Sequence, residues 1–488
     1  MTTERIPLTQ PIESRDGTFA KDSYCSNCFF ETRDQKREFV KRPGLNAVAQ
    51  VTPVTPPAYL DSQGLVAFNN NLVAAIENVL YSINPSNFNV TTIGSLSTST
   101  TQSYFVRTFL DEYLFVHNTL NAYLINQSNA FVTMTGMPAG PYVPGVVYLD
   151  NYLFIGTADN RIYSCDVGNP LTWSALSYVT FEQTTDNLVG IVKHLNYLVA
   201  FGSTSTQFFY DTGATTDSPL GVAQSYTSEI GCANGDSIVA TNNTVLWTGT
   251  SKTYGRGVYL MDGVSPIRVS THNVDKHLEA DGLTNVSAYC YTVSGHTLYI
   301  LTLHTTNQTL VYDISEKIWY TWTQYSMQSN DQPNSGTYQE SYFRPTFYAQ
   351  VSGIPYVLDD DTATLYTLNT GTYQDNTQPI YCRTVTDIVD NGSTKRKFFG
   401  RLEIIGDKVA GTMQIRHTGD DYNTWSSYRS VNLNAPRAQL YLGGSDRRRA
   451  WEFLCTDNVP LRLDGAEIDF RIGEMDQEQG VGGGRYRR

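Results

Sequence analysis

A repeated unit of short strands runs through the middle of the chain, and it constrains the fold more than any other feature. In Gly145–Asp166, an apolar strand at Val146–Leu149 meets a turn at Asp150-Asn151, and strands follow at Tyr152–Ile155 and around Ile162-Tyr163. Asn and Asp tolerate the left-handed backbone that tight hairpins require. This order of strands and polar turns predicts one antiparallel unit of a β-sheet.

The same order occurs seven times in all, and each copy carries a tyrosine on its third strand. These residues are Tyr81, Tyr123, Tyr163, Tyr210, Tyr259, Tyr312 and Tyr366, which lie 42, 40, 47, 49, 53 and 54 residues apart. Propeller blades commonly repeat every ~40–50 residues. Because a single blade buries its two faces only against neighbours, the ring must close. We therefore predict an all-β fold, a β-propeller of six or seven blades with these tyrosines in the blade core. The alternative is a stack of hairpins in a sandwich.

The strand pattern changes near Pro379, where a second type of domain begins. Six further strands between Tyr381 and Ile472, with turns rich in Asp, Asn and Gly, predict a C-terminal β-sandwich. Helical periodicity is nearly absent, and only Glu31–Glu38 predicts a short helix. The predicted organisation is an N-terminal arm and lead-in over residues 1–60, the propeller over 61–378, the β-sandwich over 379–475 and a flexible Gly/Arg tail over 476–488.

Composition agrees with a β-rich chain that meets partners. The sequence has 33 Tyr and 21 Phe, which suit a pleated, half-buried surface, and only 17% charged residues, against about 25% in an average domain. Aromatic residues are enriched at protein interfaces, although a Tyr-rich core explains them equally well. The formal net charge of −13 argues against tight nucleic-acid binding, which needs basic residues to neutralise phosphate. An acidic surface would instead let DNA pass without sequence-specific binding.

Targeting and cysteine patterns favour a protein made in a reducing cytoplasm. The polar segment Met1–Asp16 has no apolar core of a secretory signal, and no apolar run is long enough to span a membrane. The seven cysteines are odd in number and widely spaced, which does not suit a disulfide framework.

Three groups of residues could in principle bind a metal ion, and each has a simpler interpretation. Cys25 and Cys28 form a CxxC without the second pair that zinc needs. His272 and His277 are only two ligands, and we expect them in an exposed loop. Asp359–Asp361 lacks the glycine and glutamate of an EF-hand loop, and it reads as a turn between strands. We therefore predict no metal, no cofactor and no catalytic residue.

Other short patterns also favour structure over chemistry. Thr418–Trp425 is similar to the Asp-box turn of sialidase propellers, but it occurs once and outside the repeats, so we interpret it as a hairpin turn. The glycines of Gly480–Arg485 lack the flanking strand and helix of a phosphate loop. Arg447, Arg448 and Arg449 form a dense basic run. A solvated turn is one interpretation of that run, and a contact with an acidic neighbouring subunit is the other.

Three segments in a fixed order resemble the packaged-DNA stabilisation proteins of podoviruses. The first, Asn27–Leu45, has an Asn/aromatic/Glu element followed by a Pro-Gly turn. The second, Phe201–Thr216, has a glycine–serine–threonine run, then aromatics, then Thr-Gly-Ala. The third, Arg448–Ile472, is similar to the family's arginine-rich turn and final strands. Several blade loops depart from the family.

The resemblance implies a structural subunit of a short-tailed phage tail, the hub or nozzle below the portal and its adaptor. It implies a homohexameric ring that extends the DNA channel and retains the packaged genome until ejection. The implied partners are head–tail adaptor and portal proteins, a tail needle or plug, tail fibres or tailspikes, and passing double-stranded DNA. The protein would be located in the virion tail and would not be an enzyme.

Two other functions are compatible with a propeller sequence. A tail-associated carbohydrate-active or carbohydrate-binding propeller would need clustered Arg, Glu, Asp and Tyr at the ring centre. A cytoplasmic interaction propeller would form no hexamer.

Overall fold

The computed structural model describes residues 2–33, 36–52, 60–182, 185–214, 217–241, 243–253, 255–326, 339–441 and 443–473. The chain forms two compact units. The propeller unit contains Glu13–Thr18 and Pro43–Ile380, and the terminal unit contains Met1–Ile12, Phe19–Arg42 and Tyr381–Arg488. Each unit is a set of residues that lie close together in space. The predicted domain boundaries at 60/61 and 378/379 stay a prediction. The predicted tail, 476–488, lies outside the described residues.

The propeller unit is built from seven antiparallel sheets of at least four strands each, which we number as blades 1 to 7. In chain order, the strands are Ser62–Phe68, Asn71–Ile76, Val79–Ile83 and Val90–Ser95 in blade 1; Tyr104–Arg107, Tyr113–His117, Ala122–Asn126 and Phe131–Val132 in blade 2; Tyr142–Leu149, Tyr152–Thr157, Arg161–Asp166 and Asn169–Thr180 in blade 3; and Leu188–His194, Tyr197–Gly202, Thr206–Asp211 and Leu220–Val222 in blade 4.

The remaining blades follow the same order with two variations. Blade 5 has two short strands in its first position, and blade 7 takes its fourth strand from Gly44–Gln50. Their strands are Gly231–Cys232 together with Val239–Thr241, Thr244–Ser251, Gly255–Asp262 and Ser265–Arg268 in blade 5; Val286–Val293, His296–Leu303, Gln308–Asp313 and Ile318–Ser326 in blade 6; and Pro345–Val351, Ile354–Asp359, Thr364–Asn369 and Gly44–Gln50 in blade 7. Short strands at Gln339–Tyr342, Gln374–Asp375 and Gln378–Pro379 add to the edges of blades 6 and 7.

The ring is closed by a strand from the opposite end of the propeller sequence. Gly44–Gln50 pairs antiparallel with Thr364–Asn369 and supplies the fourth strand of blade 7. The first strands of successive blades contact each other around the ring, and the first strand of blade 7 contacts that of blade 1. The predicted β-propeller is therefore confirmed, with seven blades among the described residues.

Alternating side chains hold neighbouring blades together. In blade 2, Leu114 packs into an apolar cluster with blade 1, while the next residue, Phe115, packs into one with blade 3. Successive side chains of a strand point to opposite faces, so each blade buries both faces only when it has two neighbours. Both side chains are fully buried, which stabilises the ring by about 1.5–3 kcal/mol for each.

The terminal unit is also made of strands, and it combines both ends of the chain. One sheet has the order Cys28–Arg33, Lys36–Lys41, Arg462–Ile472, Lys397–Gly406 and Ala438–Leu440, with Thr2–Ile6 and Gly444–Asp446 at its edges. Five more strands pair in the order Tyr24–Ser26, Cys382–Val385, Ala450–Cys455, Thr412–Thr418 and Arg429–Asn432. The predicted β-sandwich over 379–475 is not clearly shown by these pairings and stays a prediction.

The helix predicted at Glu31–Glu38 is wrong. The segment is a hairpin of Cys28–Arg33 and Lys36–Lys41, in which Glu31 pairs with Glu38. The strand conformation buries Phe30 and Phe39, which pair directly across the hairpin, and this burial outweighs the local charge pattern.

The α-helix of the described residues lies at His272–Asp281 instead. Thr271 accepts a hydrogen bond from the amide of Val274 at the N-terminus, and Gly282 ends the helix in the left-handed region at φ 82°. Two short 3-10 helices, Phe109–Asp111 and Gly235–Ser237, lie in blade loops. Among the residues described, no helix has the length and apolar character that a membrane crossing requires.

Candidate functional site

The seven repeated tyrosines all lie on the third strand of their blades. Tyr163, Tyr259 and Tyr312 are buried, while Tyr81, Tyr123 and Tyr366 are half-buried. Those at 81, 123, 163 and 259 pack against apolar clusters that contain residues of two adjacent blades.

The hydroxyl of Tyr123 shows how one of these residues connects two blades. It accepts a hydrogen bond from the amide of Ser97 at 2.7 Å and lies 2.9 Å from the Ser97 hydroxyl. Ser97 follows the last strand of blade 1, so the contact joins blade 2 to the blade before it. An apolar ring with a polar tip suits this position, because the ring packs while the hydroxyl binds the backbone.

Tyr210 is a correction to the predicted blade-core set, because its side chain is 43% exposed. The two residues before it, Phe208 and Phe209, are fully buried and pack into the clusters on opposite faces of blade 4. The core positions of this strand are therefore already filled, and Tyr210 lies towards the outer strand, with its ring beside Gly221.

The arginine run divides into one internal and two surface residues. Arg449 is only 1% exposed, and its Nε donates to Asp446 at 2.8 Å. Its guanidinium lies 3.9 Å from the ring centre of Phe399 and 4.9 Å from that of Trp451. The predicted subunit contact is therefore wrong for Arg449, whose charge is compensated inside the terminal unit. Arg447 and Arg448 are exposed, and their contact role stays a prediction.

The CxxC cysteines and His277 are built into the protein interior. Cys25 and Cys28 are buried thiols that form no disulfide bond, and burial raises the pKa of Cys28 well above its ordinary value. His277 is not in an exposed loop as predicted, because it lies on the helix His272–Asp281, where its Nδ1 lies 2.8 Å from the Gln308 side chain. The helix rotates His272 to the exposed surface, so the two rings are not brought together as a ligand pair.

Two hydrogen bonds cross the centre of the propeller ring. The Gln102 side chain, just before the first strand of blade 2, donates to the carbonyl of Val286 in blade 6 at 3.1 Å. The Tyr104 hydroxyl of blade 2 donates to Asp236, which precedes the inner strand of blade 5. Neither pair of blades is adjacent in the ring, so both bonds span the axis. These bonds close the centre of the ring at the level of Gln102 and Tyr104. A DNA duplex, whose major groove alone is about 12 Å wide, cannot pass between side chains that are in hydrogen-bonding contact.

Next to this crossing lies an acidic cavity of about 290 Å³, which we call the axial cavity. It lies where the first strands of blades 6, 7 and 1 begin, and Thr100–Gln102 completes its wall. The carboxyl groups that line it are those of Asp61, Glu77, Asp360 and Asp361.

The turn between the second and third strands of blade 7 places Asp360 in this cavity. The Tyr342 hydroxyl donates to its Oδ2 at 2.8 Å, and the His304 Nδ1 lies 3.6 Å from the same oxygen. The backbone of the turn is fixed by Asp359, whose carboxylate accepts from the amides of Asp361 and Thr362. The aspartates at 359–361 thus form the predicted turn, and the turn also aims two of them into a cavity.

Blade 1 contributes the other two carboxyl groups. The amide of Asp61 donates to Glu77 Oε1 at 2.8 Å, which joins the start of the first strand to the turn after the second. The Gln63 side chain donates to the carbonyl of Ser99 at 2.7 Å and accepts from the amide of Asn78 at 2.9 Å. These bonds fix the loop between blades 1 and 2 as part of the cavity wall.

Burial and mutual repulsion shift the titration of these groups. Burial raises the pKa of Asp360 to about 7, and the charges of Asp361, Asp359 and Asp61 raise it further, against the lowering effect of the Tyr342 hydroxyl. Burial and Glu77 raise the pKa of Asp61, and burial raises that of Asp361. Burial lowers the pKa of His304, so this ring favours its neutral form. The cavity therefore favours the protonated form of these carboxyl groups.

The cavity does not have the arrangement expected for a sugar-cleaving propeller. No arginine is among the described residues that line it, although Arg344, outside the lining, lies 3.7 Å from Asp361. Among the described residues, no group of three or more His, Cys, Asp or Glu side chains has the geometry to hold a metal ion. No local sequence pattern predicts this cavity, because its carboxyl groups come from positions 61, 77 and 360–361, which only the closed ring brings together.

Comparisons with solved structures find chains of low sequence similarity. A chain of the mitotic checkpoint complex has 13% identity and a TM-score of 0.41, covering 66% of this chain and 99% of that one. BamB from Moraxella catarrhalis has 10% identity and a TM-score of 0.39, covering 76% and 98%. U3-55K has 11% identity and a TM-score of 0.42, covering 67% and 100%. No curated protein matches the sequence.

A family model matches most of the chain. It carries the description "Bacteriophage P22 Gp10, beta-propeller", and the match covers residues 5–373, which includes both the N-terminal strands and all seven blades. The resemblance to the phage stabilisation proteins, inferred from three short segments, is thereby confirmed. The chain belongs to the phage stabilisation family of β-propeller proteins.

Proposed function

We propose that the chain is a structural hub or nozzle subunit of a short-tailed phage tail, which extends the DNA channel and retains the packaged genome until ejection. The family match over residues 5–373 supports a phage structural role. The observation that carries the finer proposal is the closed centre of the propeller, crossed by the Gln102–Val286 and Tyr104–Asp236 hydrogen bonds.

A closed propeller cannot itself conduct a DNA duplex, so the channel must lie between copies of the chain. A homohexameric ring would provide such a channel. The formal charge of −13 on each chain suits a wall that repels phosphate and lets DNA slide. The adaptor and portal proteins, a needle or plug, and fibres or tailspikes are the partners that this position requires, and the virion tail is the expected location.

Native mass spectrometry of the purified chain tests the assembly. We expect a species of six times 54.5 kDa, alone or on addition of the purified adaptor ring. Only monomers under both conditions, together with absence of the chain from purified tails by peptide mass spectrometry, would contradict the proposal.

A conditional knockout of the gene tests genome retention. We expect particles that package DNA and then lose it, measured as nuclease-sensitive DNA after packaging in complemented and uncomplemented infections. The carbohydrate-active alternative has no supporting arrangement in the axial cavity, and an assay of polysaccharide release by the purified chain distinguishes it directly. Release of sugar at catalytic rates would overturn the structural proposal.

A further inference from the structure

The two units of the chain carry opposite formal charge. Of the 47 acidic and 34 basic residues, 27 and 10 lie in the propeller unit, which gives it a charge of −17. The other 20 and 24 lie in the terminal unit, which gives it a charge of +4, and the two units together give the −13 of the whole chain. Contacts between copies are therefore favourable where the terminal unit of one copy meets the propeller unit of another.

The terminal unit brings two basic runs of the sequence into one surface. The buried ammonium group of Lys397 donates hydrogen bonds to the carbonyls of Lys395 at 3.1 Å and Arg447 at 2.6 Å, so it holds the two runs together. Phe398 follows it, is 54% exposed, and pairs across the strands with Arg471. We call this surface the basic patch, and its exposed side chains are Lys395, Arg396, Phe398, Arg447, Arg448 and Arg471.

The basic patch has the composition of a protein interface. Four of its five cations are arginines, and they surround an exposed aromatic ring. Interfaces are enriched in aromatic residues and arginine and depleted in lysine. None of the five cations has an ion-pair partner among the described residues. Carboxylates of a docked partner would compensate these charges.

The propeller unit exposes apolar side chains beside a carboxylate at the turn between the first two strands of blade 2. Phe109 and Leu110 are 67% and 79% exposed, and Glu112 is exposed next to them. Leu110 and Asp111 both have a left-handed backbone, at φ 53° each, which residues other than glycine rarely adopt. The strained turn therefore holds two large apolar side chains in solvent, an arrangement typical of a contact site.

Blade 3 extends this surface. Its turn between the third and fourth strands exposes Asp166 and also Val167, which is 61% exposed. In an antiparallel blade the turns after the first and third strands lie at the same end, so both turns face the same side of the ring. Tyr113 and Leu171, which follow the two turns, pack against the same apolar cluster, so the turns are neighbours. We call this surface the acidic patch, and its side chains are Phe109, Leu110, Glu112, Asp166 and Val167.

We propose that the basic patch of one copy docks on the acidic patch of the next copy, and that this contact closes the homohexameric ring. The inference rests on the proposed function, because it names the contact by which that ring forms. The two patches are different surfaces of the same chain, so the contact is head to tail, and such contacts generate a ring when the rotation closes. The apolar side chains supply the buried centre of the contact, and the charges around them select the partner.

Charge reversal on each patch tests the pairing by native mass spectrometry of the full chain, alone and with the adaptor ring. The variant Arg396→Glu/Arg447→Glu/Arg448→Glu has acidic charge on both patches, and Glu112→Arg/Asp166→Arg has basic charge on both. We expect each variant alone to lose the hexamer, because like charges then meet at every contact. We expect an equal mixture of the two to restore the hexamer with three copies of each, because opposite charges then meet again.

Control variants show whether the patches themselves are responsible. The triple variant Lys21→Glu/Lys252→Glu/Lys408→Glu makes the same change in charge as the triple arginine variant, at exposed positions outside both patches, and should keep the hexamer. Phe398→Ala changes no charge and should raise the chain concentration needed for assembly by about tenfold, because it removes an aromatic side chain from the contact. Thermal unfolding should show that the variants fold, because every substituted side chain is exposed.

The outcomes separate this inference from the proposed function. If the parent chain is a hexamer and both reversed variants keep it, or both lose it and their mixture does not restore it, the inference fails and the proposed function stands. If the parent chain forms no hexamer under either condition, both fail. An arginine variant that keeps the hexamer but loses binding of duplex DNA would assign the basic patch to DNA and overturn the inference.

Discussion

Replacing Asp360 by Asn should stabilise the propeller at neutral and alkaline pH. The side chain is 20% exposed, and burial raises the pKa of its carboxyl from the ordinary 3.8 to about 7. An amide has the same shape and keeps an oxygen that accepts from the Tyr342 hydroxyl, which lies 2.8 Å from Asp360 Oδ2. The substitution therefore removes a charge that the folded protein disfavours and preserves the local hydrogen bond.

The size of the effect follows from proton linkage. Between pH 3.8 and about 7, the folded chain holds a proton at Asp360 that the unfolded chain has lost, so the free energy of unfolding falls as pH rises. Each unit of pKa difference corresponds to about 1.4 kcal/mol, which sets a ceiling of about 4 kcal/mol above pH 7. Because the side chain keeps some contact with water, we expect about 1–3 kcal/mol. Below pH 4 both chains are neutral at this position and should be equally stable.

The assay is thermal unfolding of the parent chain and of the Asp360→Asn variant across pH 4–8. The propeller unit spans Pro43–Ile380, for which about 2 cal/mol/K per residue gives an unfolding entropy near ~0.7 kcal/mol/K. The expected gain in Tm at pH 8 is thus about 1–4 °C, with no gain at pH 4. Asp150→Asn, in an exposed hairpin turn of blade 3, should show no such pH dependence. A gain for Asp360→Asn that is the same at both pH values, or a loss at pH 8, would refute the reasoning.

Three further substitutions, two of them with a control variant, test the packing of the two units. Tyr123→Phe should destabilise the propeller by about 1 kcal/mol through loss of its interblade hydrogen bond, while Tyr210→Phe at an exposed position should change stability by less than about 0.5 kcal/mol, both measured by urea unfolding. Arg449→Ala should cost about 3–5 kcal/mol because it leaves a buried ion pair broken, whereas Arg448→Ala should leave the Tm nearly unchanged. Leu45→Asp places a charge at a fully buried position of the closing strand, so limited proteolysis should cut the variant within the propeller under conditions where the parent chain resists.

The blades could be predicted from the sequence because each blade is a local structure. Strand alternation and Asn or Asp turns determine hairpins between residues that are close along the chain, and the tyrosine spacing then reports the repeat. The fourth strand of blade 7 is different, because Gln50 and Thr364 are paired across 314 residues. No local pattern encodes such a partner, so Gly44–Gln50 could be placed only in the lead-in to the propeller.

The helices were the least predictable elements. Glu31–Glu38 has the charges of an exposed helix. The hairpin forms instead because it pairs Phe30 with Phe39 and buries both rings, which stabilises the strands more than the charge pattern stabilises a helix. The true helix, His272–Asp281, has only a short apolar pattern of Val274 and Leu278, four residues apart, on its buried side. Its capping residues at both ends were the usable signal.

The axial cavity could be predicted only in part. Asp359–Asp361 was correctly interpreted as a turn, because aspartate binds nearby backbone amides there. That the same turn faces Asp61 and His304 depends on how blades 6, 7 and 1 meet in the closed ring. The shifted pKa of Asp360 is likewise a product of burial, and burial is not a property of the turn sequence.

The strand Gly44–Gln50 also affects the order of events during synthesis. It leaves the ribosome long before its partner Thr364–Asn369, and at about 5–20 residues per second the delay is roughly 15–60 s. During that interval Gly44–Gln50 is an unpaired strand at one end of the nascent chain. The most recently made blade also exposes the apolar face that the next blade will cover. The ring can therefore complete only after Thr364–Asn369 has been made, so newly made chains should be most prone to mispairing with one another at the moment when many are produced together.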